Sequence, residues 1–157
     1  MSITKQIADH LLHVHFGGNW TVTHLEEVLA DVSWDEAVAE VDSFNTLVTL
    51  VYHISYYIEE QIKVLKTGVL EGSDALSFKH PEIKSPQDWE NLKEEVWQRA
   101  RLWSELVGQL SDDKLQEDFV DPKYGSYHRN LMGLIEHFHY HLGQIVIIKK
   151  LLRARES

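Results

Sequence analysis

Four stretches of this 157-residue chain space their apolar residues three and four apart, and no alternating, strand-like pattern competes with them. That periodicity suits helices with one buried face, so the chain is expected to be all-α, a four-helix bundle. The first stretch is ITKQIADHLLHVHF, ended by Gly17-Gly18. The second spans about 45–66 and stops at Gly68. The third, QDWENLKEEVWQRARLWSELVGQL, follows Ser85-Pro86, a good N-cap and then a proline in the first turn. It carries Trp89, Leu92, Val96, Leu102, Leu106 and Leu110 at helical spacings. The last spans about 130–153, where Lys149, Lys150 and Arg153 suit the negative end of the helix dipole. The prolines, Pro81, Pro86 and Pro122, all lie in stretches that already read as loops.

Between the long segments, SWDEAVAEV predicts a short helix, with Ser33 and Glu36 at capping-box spacing. SDDKLQEDFVDPKYGSY predicts a short helical turn and a loop. EGSDALSFKHPEIKSP is a long connection between the second and third helices. It can cross the end of the bundle, so those two helices need not be simple antiparallel neighbours.

The length suits a single domain, 1–157, with a sizeable core. There is no cysteine, which excludes disulfides, thiolate metal ligands and a cysteine nucleophile, and fits a reducing compartment. The net charge of −10 argues against nucleic-acid binding, because an acidic surface repels phosphate backbones. The opening MSITKQIADHLLHVHF lacks the unbroken apolar run of a signal peptide. No segment is long and apolar enough to span a membrane, so the expected location is the cytoplasm.

The chemistry concentrates in HFHYHLGQI, residues 137–145. Successive helical residues turn by about 100°, so His137 and His141 share one face while His139 points roughly 160° away from His141. Leu134, Phe138, Ile145, Ile148 and Leu152 form the apolar stripe of this helix, and His137 and His141 fall on it. On the second helix, His53 is in line with Leu50, Tyr57 and Val64, and Glu60 shares that side about two turns further on. Two readings stand at this point. The histidines are satisfied core residues, or they face one another and hold a divalent ion. Burying three neutral imidazoles together needs several partners, whereas an ion takes one lone pair from each. Each remaining ring N–H then requires an oxygen, for which Glu60, Glu136 or a backbone carbonyl are candidates.

GLIEHFHYHLGQIVIIKK resembles the closing helix of the DinB-like superfamily, in which His-x-x-x-His runs directly into Gly-Gln-Ile. HFGGNWTVTHLEEVLADVSWDEA and FNTLVTLVYHISYYIEEQIKVLKTG resemble the same family in the same order, so the likeness covers nearly the whole chain. It implies a four-helix bundle with an up-down-down-up arrangement. It also implies a metal held by His53, His137 and His141. Some relatives carry Glu at the first position of the His-x-x-x-His pair, where this chain keeps His137. Characterised members are mostly transferases or isomerases that use a low-molecular-weight thiol such as bacillithiol or mycothiol. With no cysteine of its own, this chain would take such a thiol from solution.

The expected function is therefore small-thiol transfer dependent on a divalent metal, zinc or nickel, acting on a small molecule. A metal-dependent hydrolase on the same site is the second reading, with Glu60 as its general base. A non-catalytic ligand-binding bundle with a structural metal is the third. A homodimer is expected, with loop-borne Trp20 and Trp34 as interface anchors. Trp89, Trp97 and Trp103 are expected in the core or at an interface. Tyr56 and Tyr57 read as packing aromatics or substrate-orienting groups. His10, His13, His15 and His24 read as a mixture of surface and interface histidines. His128, just before the last helix, is a candidate for the mouth of the site.

Overall fold

The computed structural model describes residues 1–155. Its α-helices are α1 (Ile3–Phe16), α2 (Leu25–Leu29), α3 (Trp34–Val38), α4 (Leu47–Thr67), α5 (Asp74–Ser77), α6 (Pro86–Gly108) and α7 (Tyr127–Arg155). Two 3-10 turns, Asp112–Gln116 and Pro122–Tyr124, lie between α6 and α7. Among the described residues there is no strand, only an isolated bridge between Asp118 and Ser126.

Local chemistry explains the boundaries. The hydroxyls of Ser2, Thr46 and Ser85 accept from the backbone N–H groups of Lys5, Thr49 and Asp88, capping α1, α4 and α6. Gly68 ends α4 at φ 74°, a left-handed conformation that glycine adopts without a Cβ clash. Ser33 caps α3 through Glu36, as the capping-box spacing predicts. The last helix starts earlier than expected, at Tyr127, because the Ser126 hydroxyl accepts from Arg129 N–H at 3.2 Å and the turn winds directly into the helix. Two short helices were not legible in the periodicity. They are α2, which buries Leu25 and Leu29, and α5, inside the long connection.

The four long helices share one hydrophobic core. α1 packs on α6, α6 on α4, α4 on α7 and α7 on α1. Trp89 and Trp103 are fully buried on α6, and each indole N–H finds an acceptor, the Val32 carbonyl and Gln61 Oε1, both at 2.9 Å. Trp34 and Trp97 are partly buried against the same core, whereas Trp20 is 98% exposed. Lys149 and Arg153 do more than complement a dipole. Lys149 donates to the Val28 carbonyl and Asp31, and Arg153 to Asp31 and Glu36, tying α7 to the α2–α3 segment.

Candidate metal centre

His53 lies mid-way along α4 and is 3% exposed, while His137 and His141 sit one turn apart on α7 and are half-buried. The packing of α4 on α7 brings the three rings together. His53 Nε2 lies 3.0 Å from His137 Nε2, which lies 3.0 Å from His141 Nε2. The three possible ligand atoms all fall within 4.8 Å of one another. His137 and His141 occupy one edge of the α7 stripe, not its centre, which is held by Leu134, Phe138, Ile145 and Leu152. For that reason the cluster opens toward solvent instead of being sealed in the core.

The hydrogen bonds behind the rings determine which nitrogens are bare. The Ser77 hydroxyl donates to the Asp74 carbonyl at 2.6 Å, so it accepts from His53 Nδ1–H at 2.8 Å, leaving His53 Nε2 unprotonated. Gln144 Oε1 accepts from His141 Nδ1–H at 2.7 Å, which leaves that Nε2 bare as well. Two lone pairs therefore converge on the position that His137 Nε2 also faces. A divalent ion about 2.1 Å from each nitrogen would set neighbouring pairs about 3.0–3.4 Å apart, which the His53–His137 and His137–His141 spacings of 3.0 Å match. The donor set fits too, because neutral imidazoles are the ligating form. Burial, with the neighbouring His141 and His53, pushes His137 down to about 4. Burial and then His141 lower His53 as well.

The supporting oxygens differ from those expected. Ser77 and Gln144 take the roles for which Glu60, Glu136 and backbone carbonyls were candidates, and Glu136 is exposed. Ser77 could not be singled out because α5 lies in a segment without helical periodicity. Phe78, just after α5, stacks on His53 with ring centroids 4.2 Å apart. Tyr57 packs edge-on against both His53 and His137, and its hydroxyl donates to Asp74 at 2.7 Å. Burial and that contact with Asp74 raise the Tyr57 phenol to about 12, so it remains a proton donor. Tyr56 is buried, its hydroxyl accepting from Ser73 N–H at 3.0 Å.

A cleft of about 540 Å³ opens beside His137. Tyr57, Asp74 and Glu60 line it together with Arg129 and Gly133 of α7. Glu60 is 4% exposed, and its Oε1 accepts from Lys63 at 2.7 Å. Seven residues separate it from His53, about 10 Å along the helix axis, so it borders the cleft and not the three nitrogens.

The other histidines stay apart from this cluster. His139 faces His10, with ring centroids 6.0 Å apart. His13 and His128 are exposed. His24 is half-buried, with Nδ1 at 3.1 Å from the Val22 carbonyl. His15, expected at the surface or an interface, is fully buried. No helix of the described residues is long and apolar enough to cross a membrane. A family model described as the DinB superfamily matches residues 19–145, a span that includes all three clustered histidines. No curated protein and no solved structure matches the chain.

Proposed function

This chain belongs to the DinB superfamily, and we propose that it is a metal-dependent enzyme that transfers a small thiol taken from solution. The observation carrying this reading is the convergence of three imidazole nitrogens, two of them held bare by Ser77 and Gln144. The proposed metal is zinc or nickel, both suited to imidazole and accepting of sulfur. The proposed scaffold is an up-down-down-up four-helix bundle, supported by the long α4–α6 connection and by α4 packing on both α6 and α7. The absence of cysteine supports a cytoplasmic location.

A divalent ion held by the three imidazoles would lower the pKa of a thiol or water that coordinates it, supplying a nucleophile at neutral pH. Three protein ligands leave positions for such a molecule, as a catalytic site requires. The chain's own groups then bind and orient the substrate. Tyr57 presents a phenol that remains protonated, with Asp74 holding its hydroxyl. Phe78 shields one face of His53 from water. A hydrolase reading is favoured by the acidic groups of the cleft, where Glu60 would serve as general base through a chain of waters.

The test uses protein purified without a His-affinity step. Elemental analysis should find a divalent ion in the parent and in His139→Ala, and little in His141→Ala. Equal loss in both variants would break the assignment of ligands. In cobalt-loaded protein, a low-molecular-weight thiol should produce a sulfur-to-metal charge-transfer band that disappears in His53→Ala, together with thiol transfer to an electrophile. Cleavage of esters or amides with no thiol-induced band would favour the hydrolase. An ion that binds neither thiol nor water would leave a structural site.

A further inference from the structure

Glycine inside a long helix is a poor choice unless the backbone or a close neighbour demands it. Neither does at Gly133. It lies within the 29-residue α7, and a Cβ built there would meet nothing within 4 Å. The space it leaves open belongs to the cleft beside His137. Arg129, Gly133 and His137 follow one another at four-residue steps, so they lie along one slowly turning strip of the helix. Gly133 keeps the middle of that strip bare.

Arg129 stands at the far end. It is exposed, it lines the same cleft, and among the described residues its guanidinium has no hydrogen bond or ion pair. Lys63, by contrast, is engaged with Glu60. Leu70 and the buried Phe119 add apolar wall to the same cleft. Glu60 also borders it, its Oε1 held by Lys63 and its Oε2 buried with no partner. Gly72 lies so close to this carboxylate that a Cβ there would meet Oε2 at 2.7 Å, so the covering loop is fitted to it.

We infer that the Arg129–Gly133–His137 strip is a binding lane for an elongated small molecule with a carboxylate at one end. The carboxylate pairs with Arg129, the middle passes over Gly133, and the reacting end reaches the three histidines. Arg129 and His137 are eight residues apart, so the lane is about 12 Å long at the level of the helix axis. Guanidinium matches a carboxylate in a planar, two-point contact. A single negative charge is favoured over a doubly charged phosphate, because Glu60 and Asp74 also border the cleft. The inference depends on the proposed function only for what happens at the histidine end.

Two measurements separate the two claims. In metal-free, nitrogen-15-labelled protein, octanoate should shift the Gly133 amide and the Arg129 Nε–H resonances saturably, and 1-octanol should bind about tenfold more weakly or worse. Arg129→Gln should reduce octanoate to the level of the alcohol. Gly133→Leu should abolish binding of both while the thermal unfolding midpoint is retained, since its side chain enters open space. Octanoate binding unchanged in Arg129→Gln, or shifts confined to another surface, would overturn the lane whatever the metal does. In cobalt-loaded protein, 8-mercaptooctanoate should give its charge-transfer band at about tenfold lower concentration than 3-mercaptopropionate, and Arg129→Gln should erase that advantage. If no thiol gives a band while octanoate still binds at Gly133, the thiol reading fails and the carboxylate lane stands.

Discussion

His15 is held in the core between Phe16, Trp97 and Phe138, the last with ring centroids 4.4 Å away. Its Nδ1–H donates to the Leu11 carbonyl at 2.8 Å, and its Nε2 is buried without a partner. Such a ring is stable only when neutral, and desolvation pushes it down to about 4. Above the ordinary histidine value both folded and unfolded chains carry neutral His15, and it adds no pH dependence. As pH falls from about 6.5 to about 4 the unfolded chain takes up a proton that the folded chain refuses, so stability declines. The loss by pH 4 is about 3 kcal/mol from this residue. His15→Leu should keep its stability near pH 7, since it removes an unsatisfied acceptor, and should lose less on acidification. Urea unfolding of both proteins from pH 7 to pH 4 measures the difference, and parallel profiles would count against a neutral buried His15.

At the scale of elements, the smallest helix has the most specific task. α5 has four residues, yet it brings Ser77 to His53 and Asp74 to Tyr57. It holds its own geometry through the Ser77 hydroxyl bond to the Asp74 carbonyl and the Ser73 cap on Leu76. Ser77→Ala should therefore leave the helical content unchanged while His53 loses the acceptor that keeps Nε2 bare. Partners of this kind usually matter by about 10- to 100-fold in metal affinity, and zinc competition against a chelator should show a loss in that range. Gln144→Leu should act in the same direction through His141. Unchanged affinity in both variants would mean that the rings are oriented by packing alone.

For the whole molecule, the tryptophans bear on assembly. Of the two loop tryptophans expected at an interface, Trp34 is partly buried against the protein's own core, which leaves Trp20 at 98% exposure beside Val22 at 74%. A large aromatic in water is an anchor without a socket, and a second copy of the chain is the proposed socket. The −10 charge of each copy opposes association, so pairing should strengthen as salt is raised. Light scattering at tens of micromolar protein should give twice the 18.3 kDa of the chain, and Trp20→Ser should shift it toward the monomer. A monomer at every salt concentration would remove the dimer from consideration.

Much of this protein is determined by local rules that a linear chain displays. The long helices follow from apolar residues at helical spacing, and their ends from Ser85-Pro86, Ser33-Glu36 and Gly68, because caps and breakers act within a few residues. The shared face of His137 and His141, and the exclusion of His139, follow from helical geometry alone. The DinB superfamily match extends through these same segments. Tertiary structure decided what depends on residues distant in the chain. His15 shows no sequence sign of its burial, because that depends on α6 and α7 closing over α1. Ser77 has no periodic signal, yet it sets the tautomer of a histidine 24 positions earlier. Gly133 reads as an ordinary helical glycine until the cleft above it is known to be open. In each case the deciding energy is desolvation or a partner supplied across space, and only the packed molecule specifies which groups lose water together.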